Sequence, residues 1–138
     1  MSTTIRPELS KRNKYWIERH RYYELKHFCM QYDIWKRACD SITSLVQPRL
    51  DLAFSKSSGI SNPVERCAMA REFYLVRMNM IERAASETDS YFGSYIFKAV
   101  TNGLSYDKLL AQTGIPCCKD VYYELYRRFF WILNKLRN

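Results

Sequence analysis

The 138-residue chain contains no glycine-rich phosphate loop, no G-x-S-x-G elbow and no H-E-x-x-H helix, so it carries no signature of a nucleotide hydrolase, a serine nucleophile or a zinc peptidase. Its two histidines, His20 and His27, stand two helical turns apart, whereas a shared metal takes ligands a single turn apart. Cys117 and Cys118 are adjacent, so their side chains diverge, and they lack the C-x-x-C spacing of a zinc knuckle or redox pair. Scattered carboxylates such as Glu65, Glu72 and Asp89 form no motif. Catalysis, metal and cofactor are therefore not expected. Five cysteines are an odd number, and residues 1–10 have neither the apolar core of a signal peptide nor a lipidation motif. Reduced thiols and a cytoplasmic location are expected. Apolar runs long enough to cross a bilayer are missing, as are internal repeats, strand-like alternation of useful length and heptads sufficient for a coiled coil. The expectation is a soluble protein without a membrane partner.

What the chain does have is aromatic residues and positive charge. It holds 11 Tyr, 7 Phe and 3 Trp, and its 22 Lys and Arg against 14 Asp and Glu leave a net charge of +8. With 47% hydrophobic and 26% charged residues the composition is that of a globular domain. A basic excess favours an anionic partner such as nucleic acid.

Residues 1–10 read as a loose arm. A helical pattern begins at about Arg12, with Tyr15, Ile17, Tyr22, Leu25 and Phe28 or Cys29 on its apolar side. Lys11, Arg12, Lys14, Arg19, Arg21 and Lys26 concentrate charge there. They are either a second phosphate-contacting surface or the snorkelling outer face of an amphipathic helix. A break near Gln31 and Tyr32 precedes a helix capped by Asp33, running through Ile34, Trp35, Ala38 and Ile42 and ended by Pro48. Residues 55–61 read as an exposed loop. Asn62, Pro63 and Glu65 then make a capping box for a long helix to about Ser86. Asp89 or Ser90 caps the next helix, which stops at Asn102 and Gly103.

The last stretch reads as helix, turn, helix. Ser105 caps the first helix, which faces Leu109 and Leu110 inward; Gly114 stops it and Pro116 keeps it from running on. From about Cys118 a long helix puts Val121, Ile132, Leu125, Leu136, Phe129, Tyr122, Leu133 and Tyr126 on one arc at 100° per residue. Asp120, Tyr123, Glu124, Arg127, Arg128, Asn134 and Lys135 lie opposite, with Lys119 at the N-terminal edge. The fold class expected is all-α, a single domain of about six helices: an arm over 1–10, a helical scaffold over 11–88 and a trihelical helix-turn-helix over 89–138.

The run from Ile96 to Leu133 resembles the C-terminal module of the small phage late-gene transcription regulators of the RinA and ArpU type, themselves similar to the promoter-reading region of sigma factors. The matching residues are Ser105 and Tyr106 at a helix start, Gly114 and Ile115 at the turn, and Tyr122, Tyr123, Arg127 and Arg128 in the following helix. Pro116 stands where that pattern usually has Ser, and the spacer before Asp120 is one residue longer. The resemblance implies sequence-specific binding of double-stranded DNA in the transcription control of a phage or mobile element. The DNA-binding residues are then Lys119, Tyr122, Tyr123, Tyr126, Arg127, Arg128 and Lys135. Tyr123 or Arg127 would read a base while Lys119 and Arg128 hold phosphates, and the longer spacer would bring Tyr122 or Tyr126 to the reading position instead. The alternatives are a factor docking on RNA polymerase or another host enzyme through Phe130 and Trp131, and an architectural DNA-binding accessory of packaging or recombination. A homodimer is compatible with each.

Overall fold

A computed structural model describes residues 12–55 and 63–138, the side chains of 44–55 excepted. The chain is all-α, as its patterning predicts. Among the described residues it forms α1 (Arg19–Met30), α2 (Tyr32–Ser55), α3 (Pro63–Thr88), α4 (Gly93–Asn102), α5 (Tyr106–Thr113) and α6 (Lys119–Arg137). The expected arm over 1–10, the Asn62 cap and all but the first residue of the loop expected over 55–61 lie outside the described residues; Ser55 itself is the last residue of α2. No described helix is long and apolar enough to cross a membrane.

Local chemistry sets the helix ends. The first helix starts later than its apolar pattern predicts, because Asn13 spends the backbone on a turn: its side chain accepts from the Tyr15 N–H at 2.8 Å and its carbonyl from the Trp16 N–H at 3.0 Å. Glu18 then caps α1, its carboxylate accepting from His20 and Arg21 N–H at 2.8 and 3.1 Å. Asp89 accepts from the N–H groups of Tyr91 and Phe92 ahead of α4. Helices α4 and α5 both end on glycines in the left-handed region, Gly103 at φ 65° and Gly114 at φ 66°, where a side chain would be strained. Pro48 does not end α2, which runs on to Ser55. A proline inside a helix forfeits one backbone hydrogen bond, and here that loss does not stop the helix.

The chain divides into two compact units. One comprises the described part of Met1–Gln31 together with Met80–Asn138; the other is Tyr32–Asn79. In the second unit, the Cys39 thiol faces the Arg71 carbonyl at 3.7 Å and the Arg71 guanidinium donates to the Thr43 hydroxyl at 3.3 Å, joining α2 to α3. In the first unit α1 packs on α4 and α6, and α4, α5 and α6 pack on one another. Helix α4 comes so close to the end of α3 that a Cβ on Gly93 would sit 2.6 Å from the Ala85 carbonyl oxygen.

The core of this unit is aromatic. Tyr22 on α1 meets Phe130 on α6 with ring centroids 5.2 Å apart, and its hydroxyl lies 2.6 Å from that of Tyr126. Arg21 adds two donations to the end of α6, to the Asn134 and Asn138 side chains at 2.7 and 2.9 Å. Arg137 closes back on Glu24 at 3.4 Å and covers the Phe28 ring. These contacts rotate the buried face of α6 by about 60° from the arc that its aliphatic residues suggest. Val121, expected inside, is 44% exposed, and Leu125 and Leu136 are half-buried. Tyr123, expected outside, is 3% exposed and Phe130 is 1% exposed. Large aromatic rings bury more apolar area than Val or Leu, so the helix turns to place them inside. Leu110 of α5 is likewise exposed rather than buried, while Leu109 is fully buried.

This phase has a direct test. Phe130→Ala should cost ~3–5 kcal/mol through lost burial and a cavity, whereas Val121→Ala should stay within ~0.5 kcal/mol. Urea unfolding of the two variants measures both, and the opposite ranking would return α6 to the aliphatic phase.

Candidate nucleic-acid interface

The turn that aims α6 is held from both sides. Ser105 caps α5 by accepting from the Lys108 N–H at 3.3 Å, Ile115 is buried, and the Tyr106 hydroxyl donates to the Cys117 carbonyl at 2.6 Å. Cys118 takes the cap position of α6 without a side-chain hydrogen bond. Burial pushes the Cys117 thiol up from its ordinary range, with Cys118 adding to the rise, so Cys117 is not an activated thiolate. Among the described residues no three His, Cys, Asp or Glu side chains gather as metal ligands.

Of the seven residues expected to contact DNA, Lys119, Arg128 and Lys135 are exposed and Arg127 is half-buried, its Nε enclosed without a hydrogen-bond partner. Tyr122, Tyr123 and Tyr126 are buried, which corrects their assignment as base readers. Tyr126 is committed to Tyr22. Tyr122 packs against the rings of Tyr106 and Tyr123 at 5.4 and 4.9 Å, and its hydroxyl is enclosed without a hydrogen-bond partner among the described residues. The expected pairing of Tyr123 with Arg127 on one exposed face is therefore not formed. Of Phe130 and Trp131, the expected centre of a protein-docking face, Phe130 is core and Trp131 is half-buried.

The face that α6 does present carries Asp120, Val121 and Glu124 in its first half and Arg128, Trp131 and Lys135 in its second. Acids at the positive end of a helix dipole and cations at the negative end stabilise the helix itself. The second half meets a feature that the helical pattern alone did not reveal. The Lys135 ammonium sits 3.4 Å over the Trp131 ring, which stands 5.5 Å from the Tyr15 ring, and Lys14 lies 4.9 Å from Tyr15 in turn. Two cation–aromatic pairs from opposite ends of the chain thus form one patch. Ion pairs among the described residues are Arg21–Glu24, Arg83–Glu87 and Arg137–Glu24, so Lys14, Lys119, Arg128 and Lys135 face solvent without a carboxylate partner. The signal for this patch was the interleaving of Lys14 with Tyr15; nothing local in the sequence says that Trp131 is its neighbour.

Comparison of the chain with family models, with curated proteins and with solved structures finds no match.

Burial raises the hydroxyl pKa of Tyr122 and Tyr126 above the ordinary tyrosine value, and neighbouring tyrosines add to the rise. Their contribution to stability is fully present below the unfolded value of ~10 and is lost as pH climbs from there towards the folded values. In that window the unfolded chain releases protons that the folded chain must keep. The enclosed Tyr122 hydroxyl also has an uncompensated desolvation cost, so Tyr122→Phe should stabilise the protein by ~1 kcal/mol at neutral pH and flatten the fall above pH ~10. Denaturant unfolding of parent and variant across that range checks both signs.

Proposed function

We propose that the chain binds double-stranded DNA through the outer face of α6 and the adjoining Lys14–Tyr15 segment, as a transcription regulator of a phage or mobile element. The observation that supports it most is the patch of Lys14 and Lys135 set against the Tyr15 and Trp131 rings, with Arg128 exposed on the same helix as Lys135 and none of the three in an ion pair among the described residues. Cations free of carboxylate partners have their full donor capacity available for phosphate oxygens, and aromatic planes beside them add contact with sugar and base edges. Most of the net charge of +8 belongs to the unit that carries this patch. The buried tyrosines move the base-reading role to the exposed first turns of α6, where Lys119 can donate to guanine and Glu124 can accept from the cytosine amino group. The part played in transcription rests on the resemblance of residues 96–133 to the phage regulators. The alternative docking face is expected to centre on Phe130 and Trp131, and the Phe130 ring is only 1% exposed, which disfavours that half of it.

Fluorescence anisotropy with duplex DNA tests the reading. Affinity should fall linearly with salt in logarithmic form, and the double variant Arg128→Ala/Lys135→Ala should bind all sequences more weakly and lower the slope by ~2. Glu124→Gln should instead change the ranking of sites. Absence of binding at low salt, or an unchanged slope in the double variant, overturns the proposal.

A further inference from the structure

The first unit contains a cavity of about 160 Å³ between α1, the α4–α5 turn and α6. Its floor is core: Tyr126 and Phe130 are almost fully buried. Its polar lining consists of Lys26 from α1, Lys108 and Ser105 from the start of α5, and Tyr123 from α6. No acidic residue lines it among the described residues, and neither lysine has an ion-pair partner there. Tyr123 lines the cavity, is 3% exposed, and its hydroxyl makes no hydrogen bond to another described residue. Ser105 accepts from the Lys108 N–H and retains its own proton to donate. Two lysines and two hydroxyl-bearing side chains therefore line an aromatic-floored recess that holds no carboxylate among the described residues.

We infer that this cavity binds a small organic oxyanion, a carboxylate or phosphate head on an apolar body no larger than a single ring. Two lysines in a lining without a carboxylate favour an anion, and a carboxylate or phosphate over a neutral polar group. The volume sets the size, since a cavity of ~150 Å³ accommodates one benzene ring. A complete nucleotide is excluded by the same figure. Aromatic faces at the floor take the apolar body, and the lysines hold the head at the rim. The site is distinct from the Lys14–Trp131 patch, so the inference does not rest on the DNA-binding proposal and can fail or hold without it.

Isothermal titration calorimetry on the full chain at fixed ionic strength tests it with phenyl phosphate, benzoate, inorganic phosphate and benzyl alcohol. Phenyl phosphate or benzoate should bind saturably, one per chain, and at least about ten-fold more tightly than inorganic phosphate or benzyl alcohol. The double variant Lys26→Gln/Lys108→Gln should lose about ten-fold or more, and Tyr123→Phe about three- to ten-fold, while Lys98→Gln on the exposed side of α4 should change nothing. The lysines lie at the surface, so their variants keep the test open even if Tyr123→Phe disturbs folding. Failure of both aromatic anions to saturate, equal binding of benzyl alcohol, or unchanged affinity in the double lysine variant overturns the inference.

Discussion

Two hydroxyls 2.6 Å apart, on Tyr22 and Tyr126, mark the contact on which the first unit depends. Both rings are buried, so each hydroxyl would be costly without a partner, and pairing them solves the problem for α1 and α6 together. Around that bond the rings of Tyr22, Tyr122, Tyr126 and Phe130 meet at tilted or edge-on angles with centroids 4.9–6.4 Å apart. These are the geometries that aromatic quadrupoles favour. The high tyrosine content is thus used mainly inside the protein. Tyrosines expected at a recognition surface, Tyr122, Tyr123 and Tyr126, are instead buried in the core of the unit.

That internal use determines what α6 can offer outside. Turning Tyr123 and Phe130 inward brings Glu124, Arg128, Trp131 and Lys135 to the surface, a face with acids first and cations last. A groove-reading helix with an acidic first half must discriminate through acceptors as well as donors, and its phosphate contacts shift towards the C-terminal half. There the patch with Lys14 and Tyr15 extends the cationic surface across to the N-terminal segment. The same inward turn gives the α4–α5 recess its Tyr123 wall, so one rotation of one helix shapes both candidate sites.

Much of the fold is legible in the sequence because it is written in local chemistry. Ser105 and Gly114 each occupy the helix terminus that their side chain, or its absence, requires; so does Pro63. The helical class and the order of elements follow from the same punctuation. The phase of α6 was not legible, because Val121, Leu125 and Leu136 make as good an apolar arc as the aromatic residues do. Only the presence of Tyr22 and Arg21 on a helix more than a hundred residues away decides between them. Glu18 as the cap of α1 was hidden by the apolar Tyr15 and Ile17, which are buried although they precede the helix. For the site, the cations Arg128 and Lys135 were readable as exposed, whereas the neighbourhood of Trp131 and Tyr15 depends on tertiary packing.

The separation of 104 residues between Tyr22 and Tyr126 also bears on how the chain reaches its fold during synthesis. Helix α1 is completed early, but the partners that bury Tyr22 and satisfy its aromatic face belong to α6, which emerges after the other five described helices. Until then α1 presents apolar rings to whatever surrounds it, while the whole of Tyr32–Asn79 emerges in between. Closing such a long loop is an entropic cost paid before the contact rewards it. The first unit therefore folds after translation of α6, and the interval before that is when nascent chains are most open to chaperone capture or to pairing with one another.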